Sequence, residues 1–304
     1  TAKFGIFQNK NDAKLFCKKS KYPTVIKADN LASGKGVYIC HNEAESNIAI
    51  DEIFNGKFGK AEELLIEEFL DGEEMSFFTI HDGNTFKNFG TAQDHKRVLE
   101  GDKGKNTGGM GAYSPASVVD EAMARTIMKT IIEPTIRGMA ADGIAYRGIL
   151  FAGLMITDAG PKLIEYNCRF GDPECQALMM RLKNDFLEVL EAAVKGELDQ
   201  VELKWSNDAA LTVVMAVIGY PGGYEKGSEI KGIEEAEANG AMVFHSGTKA
   251  DGDKILADGG RVLSVTASAP SVAKAQTKAY DAVAKIDWPE GFCRSDIGWR
   301  AINR

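Results

Sequence analysis

The chain has 304 residues, of which 44 % are hydrophobic and 26 % charged; those proportions are those of an ordinary globular protein, and the length suits about two domains. The net charge of −8 argues against a broad nucleic-acid surface, because affinity there comes mainly from Lys and Arg on phosphates; a small anionic ligand stays compatible. Five scattered cysteines without a Cys-x-x-Cys pair argue against a disulfide framework and against zinc, and the apolar run Ala209–Ile218 is shorter than the roughly 20 residues of a membrane helix. The opening residues do not read as a signal peptide, so the expectation is a cytoplasmic protein without a membrane or nucleic-acid partner.

After an extended start, residues 10–20 read as a helix and Tyr22–Ala28 as a strand of β-branched residues. The Gly-rich stretch Asp29–Gly36 follows, then a second strand, Val37–Cys40. Both common phosphate signatures fail here. Lys35 is followed by Gly36 and a strand instead of Ser or Thr and a helix, and Ile39 stands where a dinucleotide fingerprint needs its third glycine. The chemistry still suits an anion. Gly34 and Gly36 allow close backbone approach, successive N–H groups form a nest, and Lys27 and Lys35 are within reach of such a loop. A surface turn with solvated lysines is the other reading.

Residues 43–55 read as a helix and Glu63–Leu70 as a strand. The acidic linker Asp71–Glu74 leads to another strand, Met75–Ile80. The linker is either a solvated turn or a connection between two sheets; in the second case the backbone at Glu68–Leu70 reads an adenine edge and Glu74 accepts ribose hydroxyls. Gln93–Val98 runs into the glycine-dense stretch Gly101–Pro115, which reads as a long loop, and loops of that length are usually functional or disordered. His95 beside it is a general base or a satisfied polar residue. Asp120–Gly138 reads as a helix with the apolar stripe Ile127, Ile131, Ile132 and Ile136, kinked or broken at Pro134.

Ile149–Ile156, the turn Asp158–Pro161 and the strand from Leu163 form a hairpin. On its second strand Glu165, Asn167 and Arg169 share one face, while Ile164, Tyr166 and Cys168 share the other as packing. A carboxylate, an amide oxygen and a guanidinium in a row suit a hard divalent cation with a phosphate beside it; a polar, solvated strand face is the alternative. Asp172 is expected to N-cap one long helix from Glu174 to Gly196, with Pro173 at its start. Beyond a composition shift at 204–208, strands over 210–218, 241–245 and 261–266 and a helix over 271–284 read as a small α/β module.

The order of these features resembles the ATP-grasp enzymes, which hold ATP between two sheets and join a carboxylate to an amine. Six stretches carry a closer resemblance: Ile26–Val37, Ile66–Glu74, Gln93–Arg97, Asn106–Pro115, Glu165–Glu174 and Asp296–Arg300. They are similar to the phosphoribosylamine–glycine ligase family. Asn30 and Ser33 depart from the Gly and Ala usual there, and Asn tolerates left-handed backbone. The fold implied is an α+β ATP-grasp: a lid subdomain over 1–70, a central subdomain over 71–204 and a C-terminal α/β domain over 205–304. The reaction implied is ATP-dependent ligation of glycine to 5-phosphoribosylamine through glycyl phosphate.

By the same resemblance Glu165 and Asn167 bind Mg²⁺ or Mn²⁺. Lys27, Ser33, Gly34, Lys35 and Gly36 hold ATP phosphates, Glu67, Glu68, Phe69 and Leu70 read adenine, and Glu74 takes the ribose. Asp94, Lys96, Arg97, Gly108, Gly109 and Gly111 face glycine and the amine, with Gly171 and Asp172 on the substrate side. Arg169 lies beside the transferred phosphoryl and Arg294 helps with the ribose phosphate. A monomer is expected. The family opens with a further domain absent from this sequence, so the chain by itself is expected to bind ATP but turn over poorly.

Overall fold

β-Branched residues and Asn caps build the first elements much as the sequence suggests. In this computed structural model, which describes residues 1–29 and 36–304, strand β1 (Phe4–Phe7) precedes helix α1 (Lys10–Lys19). Strands β2 (Thr24–Ala28) and β3 (Val37–Cys40), helix α2 (Glu43–Phe54) and strand β4 (Leu64–Glu68) follow. Asn42 starts α2: its side chain accepts the Glu45 N–H at 2.9 Å, and the Glu45 carboxylate returns to the His41 N–H at 2.8 Å. Two otherwise orphaned donors are thereby satisfied reciprocally. The strands pair antiparallel in the order β1-β4-β2-β3. Ile26, Leu64 and Ile66 pack against Ala13, Cys17, Ala49, Ile50 and Ile53 of the helices, each large aliphatic contributing about 1.5–3 kcal/mol by burial. These elements belong to one compact unit, residues 1–73 with 155–164.

The second unit comprises 74–154 and 165–304. Its elements begin with β5 (Glu73–Asp82), β6 (Phe86–Asp94), β7 (Arg97–Leu99), β8 (Lys103–Asn106), β9 (Gly111–Ser114), α3 (Glu121–Ile127) and α4 (Glu133–Ala141). Next come β10 (Arg147–Thr157) and β11 (Gly160–Asn167), whose residues 155–164 count with the first unit, then α5 (Glu174–Met179), α6 (Phe186–Lys195), β12 (Ala209–Val217), β13 (Glu229–Ile230) and α7 (Ile233–Glu237). The chain continues through β14 (Met242–His245), β15 (Thr248–Asp251), β16 (Lys254–Ala257), β17 (Arg261–Ala269), α8 (Val272–Val283), β18 (Gly291–Phe292) and α9 (Trp299–Ile302). A nine-stranded sheet runs β11-β10-β5-β6-β9-β12-β17-β14, with β18 also on β12. β13, β16 and β15 form a small sheet of their own.

Three local expectations change. The stretch 101–115 is not one long loop: β7 and β8 form a hairpin, and β9 is a buried central strand between β6 and β12. Its glycine has a packing reason, because a Cβ on Gly111 would stand 2.6 Å from Thr212 O and 2.7 Å from Ile297 Cγ2. The helix expected over 174–196 is two helices, since Lys183 N–H donates to Lys204 O and Ser206 N–H to Arg181 O, turning those two backbone groups outward from the helix. Asp185 then caps α6 through the Leu187 N–H. Asp172 is not a cap; Pro173 occupies the position before α5, with no side-chain cap bond. Pro134 is accommodated by a π-helical turn over Met128–Ile132 that joins α3 to α4.

Candidate active site

Register sorts the small sheet into two faces. Phe4 opposes Glu67, which opposes Val25, which opposes Ile39; Ile6 opposes Leu65, which opposes Lys27, which opposes Val37. Directly opposed residues share a face, so these two rows lie on the side turned from α1 and α2. Phe4, Ile6, Val37 and Ile39 are exposed there. In their midst Lys27 Nζ lies 2.7 Å from Glu67 Oε2, with only 21 % and 12 % of the two side chains exposed. An apolar surface with one embedded ion pair can receive a planar ring and present a cation to a phosphate. Glu68 ends β4, its Oε1 accepting the Lys3 N–H at 3.0 Å; Phe69 beyond it is exposed and Leu70 half-buried. Ala28 N–H donates to Gly36 O at 2.9 Å, closing the neck of the Gly-rich stretch; Ser33, Gly34 and Lys35 lie outside the described residues.

In the second unit, Glu165 and Asn167 stand side by side near the end of β11, Asn167 Nδ2 3.4 Å from Glu165 Oε1. A half-turn of that amide would present oxygen in place of nitrogen. On β10, a Cβ at Gly153 would lie 3.3 Å from Glu165 Cγ, so the glycine leaves the carboxylate room. Among the described residues no group of three or more His, Cys, Asp or Glu forms a metal cluster. A carboxylate and an amide suit a hard cation that takes its remaining ligands from water and phosphate oxygens. The row stops at Asn167. Arg169 lies past the strand end, exposed, with Nη1 donating to Phe170 O at 2.8 Å. Tyr166 packs as expected, its hydroxyl 2.7 Å from Thr135 Oγ1, whereas Cys168 is exposed.

A charged cluster lies where β5, β6 and α5 meet. Lys96 Nζ is 2.8 Å from both Asp94 carboxylate oxygens and 3.1 Å from Glu74 Oε1, so Glu74 is engaged with Lys96 in this arrangement. Glu174 is 3 % exposed and accepts the Ser76 hydroxyl at 2.9 Å. Its carboxylate packs so closely against Gly171 that a Cβ there would collide with it. Burial, then the Asp94 carboxylate, push the Glu174 carboxyl up, with Lys96 opposing. Burial would lower the Lys96 ammonium, but Asp94, Glu74 and Glu174 hold it above its ordinary value. Sequence reasoning left Glu174 out of the site; it stood in the quoted Gly-Asp-Pro-Glu stretch, but its burial had no local signal.

The glycines of 108–111 serve packing as much as approach. Gly109 N–H donates to Thr107 Oγ1 at 3.0 Å, and Met110 N–H to His95 O at 2.8 Å. Asp172 Oδ1 accepts from Gln176 Nε2 at 3.0 Å, and Asp172 Oδ2 lies 3.2 Å from Arg261 Nη2. Arg261 is another residue that sequence reasoning missed.

Arg97 and Arg294 need separating. Arg97 is half-buried on β7, its Nη1 donating to Gly104 O at 2.8 Å. Arg294 is only 1 % exposed. It forks onto Asp296, Nε–Oδ1 and Nη2–Oδ2 both 2.7 Å, and its Nη1 also reaches Arg97 O at 2.9 Å and Asp102 Oδ1 at 3.0 Å. So placed, it braces the β7–β8 hairpin and does not offer its fork to an external phosphate. Burial alone would raise the Asp102 carboxyl, but His95, Arg300 and Arg294 hold it well below the usual carboxylate range. His95 is fully buried, accepts the Gly298 N–H at Nε2 (2.9 Å), and has its pKa lowered by burial. It is a structural imidazole.

A helix-backed antiparallel sheet with exposed apolar residues on its other face, and a larger antiparallel sheet carrying Glu-x-Asn at a strand end, are the parts of an ATP-grasp ligase. Residues 1–175 match the family model described as phosphoribosylglycinamide synthetase, ATP-grasp (A) domain, and 210–300 match its C domain. The phosphoribosylamine–glycine ligase of Mesorhizobium japonicum is 57 % identical over 305 residues, covering 100 % of this chain and 72 % of that protein. The crystal structure of the Thermotoga maritima phosphoribosylamine–glycine ligase superposes with a TM-score of 0.89 at 32 % identity, covering 98 % of this chain and 74 % of that one. The biotin carboxylase domain of a Hydrogenobacter thermophilus 2-oxoglutarate carboxylase shares the fold alone, with a TM-score of 0.73 at 18 % identity, covering 96 % of this chain and 63 % of that one. The chain belongs to the phosphoribosylglycinamide synthetase family. Its reaction is the ATP-dependent joining of glycine to 5-phosphoribosylamine, giving glycinamide ribonucleotide in purine biosynthesis.

Proposed function

We propose that the ligation runs through glycyl phosphate. A glycine carboxylate oxygen attacks the γ-phosphorus of ATP, the bond to the bridging oxygen breaks, and ADP leaves. The amine of phosphoribosylamine then attacks the acyl carbon; phosphate leaves and the amine gives up one proton as the amide forms. A carboxylate is a poor electrophile, and phosphorylation supplies the leaving group. Such transfer needs positioning and charge neutralisation and no protein nucleophile.

Lys27 is assigned to the ATP phosphates, with Gly36 and the Gly-rich stretch before it. Glu67, Glu68, Phe69 and Leu70 are assigned to adenine. Glu165 and Asn167 hold Mg²⁺ or Mn²⁺, which when bound neutralises phosphate charge. Arg169, exposed beyond β11, faces the transferred phosphoryl. Asp94, Lys96, Arg97, Gly108, Gly109, Gly111, Gly171 and Asp172 are assigned to the glycine and amine side, and Glu74 to ribose once released from Lys96. The protein works as a monomer in the cytoplasm; among the described residues no helix is long and apolar enough to cross a membrane.

The pairing of Glu165 with Asn167 on β11 is the observation that carries this reading. Glu165→Ala is expected to lower divalent-dependent ligation at least about 100-fold. Because Glu165 is exposed, the melting temperature should barely move. Full Mg²⁺-dependent activity in that variant would remove the cation assignment.

A further inference from the structure

Arg261, the first residue of β17, reaches two separate segments with one guanidinium. Its Nη1 donates to Gly108 O at 2.9 Å, to Gly109 O at 3.3 Å and to Asp172 O at 2.6 Å, while Nη2 lies 3.2 Å from Asp172 Oδ2. Its side chain is 20 % exposed, so these contacts are screened less than a surface pair would be.

Both glycines are shaped around this arrangement. A Cβ on Gly108 would stand 2.8 Å from Arg261 Cζ and Nη2. One on Gly109, at φ +115°, would stand 2.6 Å from Pro173 Cδ. Gly108 N–H is held separately by the Tyr220 hydroxyl at 3.1 Å. The glycine pair therefore lets a cation and a proline ring close onto the backbone, and it is seated from both its N–H and its C=O sides.

We propose that Arg261 is a positioning residue: it locks the Gly108–Gly109 segment to the Asp172–Pro173 turn and so fixes the surface that receives glycine and phosphoribosylamine. The substrate half of this statement rests on the assignment of those residues given under the proposed function; the lock does not. A lysine cannot substitute, because a single ammonium lacks the planar fork that reaches carbonyls and a carboxylate at once.

The test compares Arg261→Ala and Arg261→Lys with the parent protein by amide hydrogen exchange and steady-state kinetics. The amides of Gly108 and Gly109 should exchange at least about tenfold faster in both variants. The kcat/KM for glycine and for phosphoribosylamine should fall about tenfold or more, while the KM for ATP stays within about twofold. Unchanged exchange at Gly108 and Gly109 in Arg261→Ala would overturn the lock. Faster exchange with only the ATP KM altered would keep the lock and overturn the substrate assignment. Should Arg261→Ala fail to fold, Arg261→Lys, which keeps the charge and loses the fork, is read by the same two measurements, with the same outcomes deciding.

Discussion

Lys27 Nζ lies 2.7 Å from Glu67 Oε2 in the middle of an otherwise apolar sheet face. An ion pair so placed keeps an ammonium ready on a surface that is otherwise apolar. Its partner is a carboxylate that an incoming phosphate can replace, since a phosphate is itself a strong acceptor for a cation.

Removing that ammonium should therefore act on the nucleotide. Lys27→Met is expected to weaken ATP binding about 10- to 100-fold, the loss of a charge-assisted contact of about 1.5–3 kcal/mol. Titration calorimetry with ATP checks it. An unchanged dissociation constant would take Lys27 out of the nucleotide site.

Gly111 sits on β9 against Thr212 O at 2.6 Å and Ile297 Cγ2 at 2.7 Å, measured to the Cβ it lacks. Its φ of +159° lies at the edge of the range that L side chains rarely adopt, so a little backbone strain adds to the lack of space. Gly111→Ala should destabilise the protein by about 1–3 kcal/mol through overpacking of the central sheet. Urea unfolding reads this as a lower midpoint with the same slope.

His81 on β5 is 1 % exposed; its Nε2 lies 2.7 Å from Thr79 Oγ1, and Nδ1 has no partner among the described residues. Burial lowers its pKa from 6.5 to about 4. The folded value lies below the unfolded one, so the unfolded chain takes up the proton first. Stability from this group is fully present above pH 6.5 and is lost as the pH falls toward 4, by about 3 kcal/mol across the window. Urea unfolding at pH 7.5 and pH 4.5 should show that slope, and His81→Leu should flatten it. An equal slope in the variant would contradict the assignment.

Local chemistry made much of this molecule readable. The β-branched run before Lys27 gives β2, and Ser271, whose hydroxyl accepts the Lys274 N–H at 3.3 Å, starts α8 where the sequence suggests. The hairpin turning at 158–159 put Glu165 and Asn167 on one face. What escaped was set by distant partners. β9 ends a glycine-dense stretch and is too short to show strand periodicity; it is a strand because β6 and β12 flank it. The helix after Pro173 breaks because 204–206 claims its backbone. Asp185 caps α6, a start that the reading of one unbroken helix did not contain. The resemblance gave Arg294 to the ribose phosphate, yet Asp296, two residues on, engages its fork. Arg261 carries no motif, and only the folded chain brings it to Asp172.

Oxygen transfer tests the central chemistry most directly. Glycine labelled with ¹⁸O in its carboxylate is turned over with ATP and phosphoribosylamine by the protein, and the released phosphate is analysed by mass spectrometry. If glycyl phosphate forms, one labelled oxygen crosses from glycine to phosphate in each turnover. Phosphate released without label would show that the carboxylate never bonded to phosphorus, and would contradict the mechanism.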